Sequence, residues 1–276
     1  MTAALPTRVP PPVVAPGRRG VGPAARLRDA AYPLAAVALL LVLWQALPAL
    51  GLVRRTVFPT ALDVLSDLPA TVTDDGFLSS LRLSCTRWGM GLALGVVVGI
   101  ALGLAMARSR FVFLTLNPLL TFIYAVPKAA LVLPLVLLFG ISHTSMAGVV
   151  FLGALVPVVT AAYHGGKMVN QQYLWSARSM GVPDLALPFR VVLPAALPQI
   201  LSGCRIAVGF SLLNLLGAEF VVRQGGIGSF LYNNIDTGQF VRVWSIALCL
   251  AFLGYLADVV YGVVVRRLFP WTDDRG

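Results

Sequence analysis

Residues 88–107 and 144–163 each run for twenty positions without a charged side chain, and residues 243–257 for fifteen. About eighteen uncharged apolar residues are enough to cross a bilayer as a helix. The composition agrees. Hydrophobic residues make up 58% of the 276 and charged ones 12%, against about 45–50% and about 25% in soluble domains. The chain reads as an all-α, polytopic membrane protein with about six transmembrane helices.

The formal net charge of +10 would point to nucleic acid in a soluble chain. In a membrane chain it reflects basic residues held in cytoplasmic loops, so no nucleic-acid partner is expected. Residues 1–31, rich in Pro, Gly, Ala and Arg, cannot bury a core and read as a flexible cytoplasmic tail. The transmembrane domain then covers residues 32–267, and residues 268–276 form a second cytoplasmic tail. The six spans fall at about residues 32–50, 84–107, 111–141, 145–163, 200–222 and 241–265. Arg108 and Arg110 close the second on the inside, and Arg266 and Arg267 the sixth. Both termini are thus placed in the cytoplasm.

The third span is the irregular one. Thirty-one residues of straight helix would measure ~46 Å, and Pro118, Pro127 and Pro134 interrupt them. The reading is an interfacial start followed by one kinked span. In the second span, Gly91, Gly95, Gly99 and Gly103 recur every fourth residue, a spacing that lines one helix face with small residues for close packing on a neighbour.

Chemistry is sparse. No GxxxxGK[ST] phosphate loop occurs. Cys85, Cys204 and Cys249 are far apart, and His143 and His164 fall on opposite sides of the membrane, so no metal site is expected. No acid–base pair or nucleophile stands out. An ion-driven transporter would call for internal repeats and several intramembrane ionisable groups, and neither is visible. Transport without catalysis is the expectation.

Two thirds of the way along, "ARSMGVPDLALPFRVVLPAALPQI" breaks the apolar pattern. Residues 171–180 can form a short helix ended by Gly181 in a left-handed cap. Pro183 allows a second short helix from about Asp184 to Val192, and Pro194 and Pro198 disrupt the backbone before the fifth span. The outcome is a helix–turn–helix elbow on the cytoplasmic face.

This stretch resembles the EAA loop of ABC-importer permeases: E-A-A, three residues, G, nine residues, I, one residue, L-P. Ala177 matches the second alanine, Gly181 the glycine, Val191 the isoleucine position, and Leu193 with Pro194 the close of the motif. Trp175 stands where the family has glutamate, and Ser176 where it has the first alanine. "PKAALVLPLVLLFG" at residues 127–140 and "GAEFVVRQGGIGSFL" at residues 217–231 resemble the branch that carries sulfonates, taurine, nitrate or thiamine precursors.

The resemblance implies a bacterial inner-membrane permease that moves a small, anionic solute by alternating access. It implies ATPase subunits on the cytoplasmic face, a second permease subunit, identical in the simplest case, and an extracytoplasmic solute-binding protein, all in contact with membrane lipid. The chain itself needs no cofactor, since ATP belongs to the ATPase. Coupling falls to residues 171–198, through Ser176, Ala177, Arg178, Gly181, Pro183, Asp184, Leu193 and Pro194, with Ala177 packed on the partner. The translocation pathway is assigned Pro127, Lys128, Pro134, Asn214 and Glu219, with Glu219 read equally as a gate or as a packing residue near the outer face. A lysine at mid-bilayer is costly and so functional by default. The alternatives for Lys128 are snorkelling or pairing with Glu219 or Asp258.

Overall fold

A computed structural model describes residues 23–272, and among these the regular structure is helical throughout. The elements are α1 (Pro23–Ala49), α2 (Ala61–Val72), α3 (Asp75–Arg108), α4 (Arg110–Ala125), α5 (Val132–Phe139), α6 (His143–Met168), α7 (Gln171–Ser179), α8 (Leu193–Val222), α9 (Ile227–Asp236) and α10 (Phe240–Leu268). Most of the tail read at residues 1–31 lies outside the described residues, as do residues 273–276. Helix α1 begins at Pro23, nine residues ahead of the expected first span.

Helix α6 is the centre of the fold, packed between α3 on one side and α8 on the other. Its buried face carries Val150, Ala154, Val158 and Ala162. All four glycines of the α3 repeat are buried against it. A Cβ built on Gly95 would sit 2.8 Å from Ala154 Cβ, and one on Gly99 2.8 Å from Val158 Cγ1. The small side chains are what let the two backbones come this close. Helix α8 approaches from the other side by the same means, with Gly203 against Ala161 and Pro157. Ala196, Ile200, Cys204 and Ala207 continue that core.

Among the described residues four helices are long and apolar enough to cross a membrane: α3, α6, α8 with the turn before it, and α10. The third span is more than kinked. Helix α4 and the segment Lys128–Phe139 meet at 99°, because Val126 precedes a proline and is driven to extended backbone (ψ 132°), while Pro127 has no N–H to continue the ladder. The first span is shorter than expected, its apolar part being Leu34–Ala49. Helix α1 is held near its C-terminal end, where Trp44 donates to the Pro59 carbonyl (3.0 Å) and packs on Phe58 and Trp244. Trp244 donates to the Val57 carbonyl at 3.1 Å, so three aromatics tie the end of α1 to the start of α10.

Two segments between the expected spans also contain helices. Helix α2 opens with a capping box in which Thr60 and Asp63 bond each other's backbone N–H. Helix α9 lies within the segment after α8.

Candidate functional site

The elbow of residues 171–198 is built by its turn chemistry. Asn170 caps α7 by accepting from Gln172 N–H (2.9 Å). At the other end Val182 N–H bonds the Ala177 carbonyl and Gly181 N–H the Arg178 carbonyl. This double closure needs a left-handed residue at its hinge, and Gly181 supplies it at φ +82°. Arg178 Nε donates to Asp184 Oδ1 at 2.9 Å, an ion pair that bridges the turn.

Two expectations for the elbow fail. Ala177 is 3% exposed in the single chain; the elbow's own fold covers it, so it is not free to pack on a partner. Nor is there a separate second helix from Asp184 to Val192. A turn closes with Ala186 N–H on the Pro183 carbonyl, and a π turn, Pro188–Val192, then runs straight into α8. In a regular helix the Pro194 ring would strike the Arg190 carbonyl, and the wider π turn directly before it gives that ring room. Ser176, Pro183 and Pro194 are exposed, and Leu193 is half-buried.

A cavity of about 690 Å³ lies between α4, α6 and α8. Along α6 its lining runs from Gly153 to His164, a rise of ~16 Å within the C-terminal half of the helix. Asn117, Thr121, Thr160, Ser202 and Gln199 offer uncharged polar groups, and Lys128 is the one charged side chain among the lining residues. Lys128 sits just past the α4 break, where Nζ donates to the Tyr124 carbonyl at 2.6 Å and lies 5.3 Å from the centre of its ring. It pairs with neither Glu219 nor Asp258. Glu219 is bound by Arg87, and Asp258 by Arg205 in a two-pronged contact at 2.7 and 2.6 Å.

The other residues read as pathway lie elsewhere. Pro127 and Pro134 are exposed outside the cavity lining. Asn214 turns its amide back to the Phe210 carbonyl (2.7 Å) beside Gly153. Glu219 is fully buried. Its carboxylate accepts from Arg87 Nη1 at 2.9 Å, from Ser84 Oγ at 2.7 Å and from Gly228 N–H at 3.2 Å. Arg87 also donates to the Gly225 and Gln224 carbonyls, and Ser229 Oγ to the Glu219 carbonyl. This network joins α3, α8 and the start of α9. Gly226, at φ +95°, lies where a Cβ would strike the Glu219 carboxylate. Glu219 therefore closes the helix packing at the C-terminal end of α8 instead of lining an aqueous path.

Arg87 escaped the sequence reading. Its signal was a lone arginine one residue before an uncharged run, in a chain with a single glutamate. His164 also lines the cavity without having been assigned to it. Among the described residues no group of three His, Cys, Asp or Glu is placed to hold a metal ion.

Comparison with known proteins matches this architecture. The chain is 30% identical to the taurine transport system permease protein TauC of Escherichia coli (strain K12), over 88% of this chain and 90% of that one. It is 28% identical to the nitrate import permease protein NrtB of Synechocystis sp. (strain ATCC 27184 / PCC 6803 / Kazusa), over 82% and 84%. Among solved structures, a chain of the MetNI methionine ABC transporter in an inward-facing conformation superposes with a TM-score of 0.58, at 17% identity, over 70% of this chain and 94% of that one. That likeness is one of fold. The family of binding-protein-dependent transport system inner membrane components matches residues 95–270. With its helices packed on a small-residue core and its polar elbow intact, the chain belongs to this family of ABC-importer permeases, which transport and are not enzymes.

Proposed function

We propose that the protein is the membrane-spanning subunit of an ATP-driven importer for a small anion of the sulfonate, taurine or nitrate type. The observation that carries this reading is Lys128, a cation lining an otherwise uncharged cavity, with no carboxylate among the described lining residues. A charge in that setting is costly without a counter-ion, and an anionic solute supplies one on each passage. Uncharged polar groups farther along, from Thr160 to Gln199, allow the solute to move on without being trapped.

Driving force comes from separate ATPase subunits bound at the elbow formed by residues 171–198. The cavity lies towards the cytoplasm, which fits the inward-facing stage of alternating access. Two copies of the chain enclose the path, a binding protein delivers solute from outside, and both termini lie in the cytoplasm. The taurine and nitrate relatives support the anion class.

The test is uptake by proteoliposomes holding the permease, its ATPase and its binding protein. Taurine and nitrate are offered beside a neutral solute of similar size. Anion uptake should require ATP and fall at least ~10-fold in Lys128→Gln, as expected for loss of one charged contact, while ATPase association stays intact. Equal uptake of the neutral solute, or full anion uptake by the variant, would contradict the proposal.

A further inference from the structure

The uncharged polar groups that line the larger cavity are of two kinds. Thr121 Oγ1 donates to the Asn117 carbonyl at 2.9 Å and Ser202 Oγ to the Pro198 carbonyl at 3.1 Å, so both hydroxyls are taken up by their own helices. The side chains of Asn117, Thr160, His164 and Gln199 have no hydrogen-bond partner among the described residues, and all four are exposed along the cavity wall. Helix α6 is otherwise covered at this level, with Val158, Val159, Ala161 and Ala162 buried. Thr160 and His164, four residues apart, share the one face that it leaves open.

These four groups gather at one end of the cavity. Phe113 of α4 stacks on Tyr163 of α6 with ring centres 4.8 Å apart, which brings Asn117, one turn along α4, level with Thr160. A Cβ built on Gly165 would lie 3.1 Å from Gln199 Cβ, so Gln199 of α8 stands level with His164. Lys128 is at the other end. Beside it Ala129 packs on Gly217, about one turn along α8 from the Asn214 that meets Gly153, and Gly153 and His164 are ~16 Å apart along α6. Gln199 also walls a second cavity, of about 410 Å³, together with Asn170 and Tyr173. The cluster therefore stands at the threshold between the two cavities.

Its chemistry narrows the occupant. Among the described lining residues no carboxylate is present to attract a cation. Two amides, a hydroxyl and an imidazole N–H suit an anion with several oxygen acceptors, and such neutral donors hold it less firmly than an ammonium does. We propose that Asn117, Thr160, His164 and Gln199 form a second, weaker oxyanion station, which takes the solute from Lys128 and passes it into the smaller cavity. This inference rests on the reading of Lys128 as the anion contact and adds where the solute goes next.

The experiment is uptake of taurine and of nitrate by proteoliposomes holding the permease, its ATPase and its binding protein, over a range of loaded binding-protein concentrations. Thr160→Val with Gln199→Leu removes two donors at little change of shape and should lower the maximal rate ~10-fold or more. The half-saturating concentration should not rise, since the loaded binding protein acts upstream of the station. Thr160→Ser, which restores the hydroxyl, should recover most of the loss seen in Thr160→Val alone. Gln199→Glu keeps the shape and adds a negative charge, and should nearly abolish uptake of both anions. Both positions are exposed, and monodisperse elution with the ATPase bound confirms folding. Full rates in the double variant and in Gln199→Glu, or equal losses in Thr160→Val and Thr160→Ser, would overturn the station while leaving the importer reading in place. If the wild type takes up neither anion, or Lys128→Gln loses no uptake, the anion reading itself fails and takes this inference with it.

Discussion

Arg87 Nη1 lies 2.9 Å from Glu219 Oε1, and both side chains are closed off from solvent although 132 residues of chain separate them. Removing one partner from a buried pair leaves an uncompensated charge, at a cost of about 3–5 kcal/mol. Arg87→Met and Glu219→Met should each lower the melting temperature of the purified protein sharply. The double variant should recover part of that loss and no more, because Ser84 Oγ and Gly228 N–H also lose their acceptor. Additive losses in the double variant would show the two residues to be uncoupled.

The glycine repeat of α3 makes a positional prediction. Gly99→Ala drives a methyl to 2.8 Å from Val158 Cγ1, whereas Gly89→Ala meets nothing within 4 Å. Overpacking costs about 1–3 kcal/mol, while alanine at an open helical site gains up to about 1 kcal/mol over glycine. Thermal melts of the two variants should therefore move in opposite directions. Equal shifts would mean that the α3–α6 contact is looser than described.

Gly181→Ala separates conformation from crowding, since φ is +82° and a Cβ there has open space around it. The left-handed backbone costs an alanine about 1–2 kcal/mol, confined to the elbow. Membrane insertion should stay normal while ATP-driven uptake drops several-fold, and Gly181→Asn should lie between. An alanine variant with full uptake would show that the turn geometry has no part in transport.

Arg205 and Asp258 form their two-pronged contact between spanning helices, with both side chains partly exposed. A charge left alone on a spanning helix makes insertion less favourable. Arg205→Ala or Asp258→Ala alone should reduce accumulation of the protein in the membrane, and the exchanged pair Arg205→Asp with Asp258→Arg should restore it. No rescue by the exchange would point to a partner other than each other.

The Thr60–Asp63 cap lies outside the candidate spans and should respond to acid. Hydrogen bonds from the Thr60 hydroxyl, and next from its backbone N–H, hold the Asp63 carboxyl below the usual carboxylate range. Because the folded carboxyl is the stronger acid, its contribution is fully present above the ordinary Asp value of about 3.9. It is lost as pH falls through the lower folded value. The stability difference between wild type and Thr60→Ala should be constant near neutrality and shrink below about pH 4. Melts over that range decide it, and a difference that grows in acid would contradict the assignment.

What could be read from the residues alone was whatever is periodic or local. The apolar runs marked the long spans, the four glycines marked the face of α3 that meets α6, and Gly181 marked the elbow's turn. Pro127 announced a break, though not a 99° bend, because a missing N–H locates a discontinuity without fixing the path beyond it. Helix α2 was legible in principle, from Thr60 followed three residues later by Asp63. What stayed hidden depends on who meets whom. Arg87 and Glu219 find each other only once α3 and α8 share α6 as a neighbour. The burial of Ala177 depends on how the segment after Gly181 folds back, and the π turn on a proline met six residues after it begins.

The π turn and α8 form one uninterrupted rod from Pro188 to Val222, with the elbow at one tip and Glu219 near the other. Against α6 the rod is seated from Ala196 through Gly203, where backbone meets Pro157 almost directly, to Leu215 and Ala218. The geometry is that of a strut braced along its length, which ties the elbow at one tip to the start of α9 at the other.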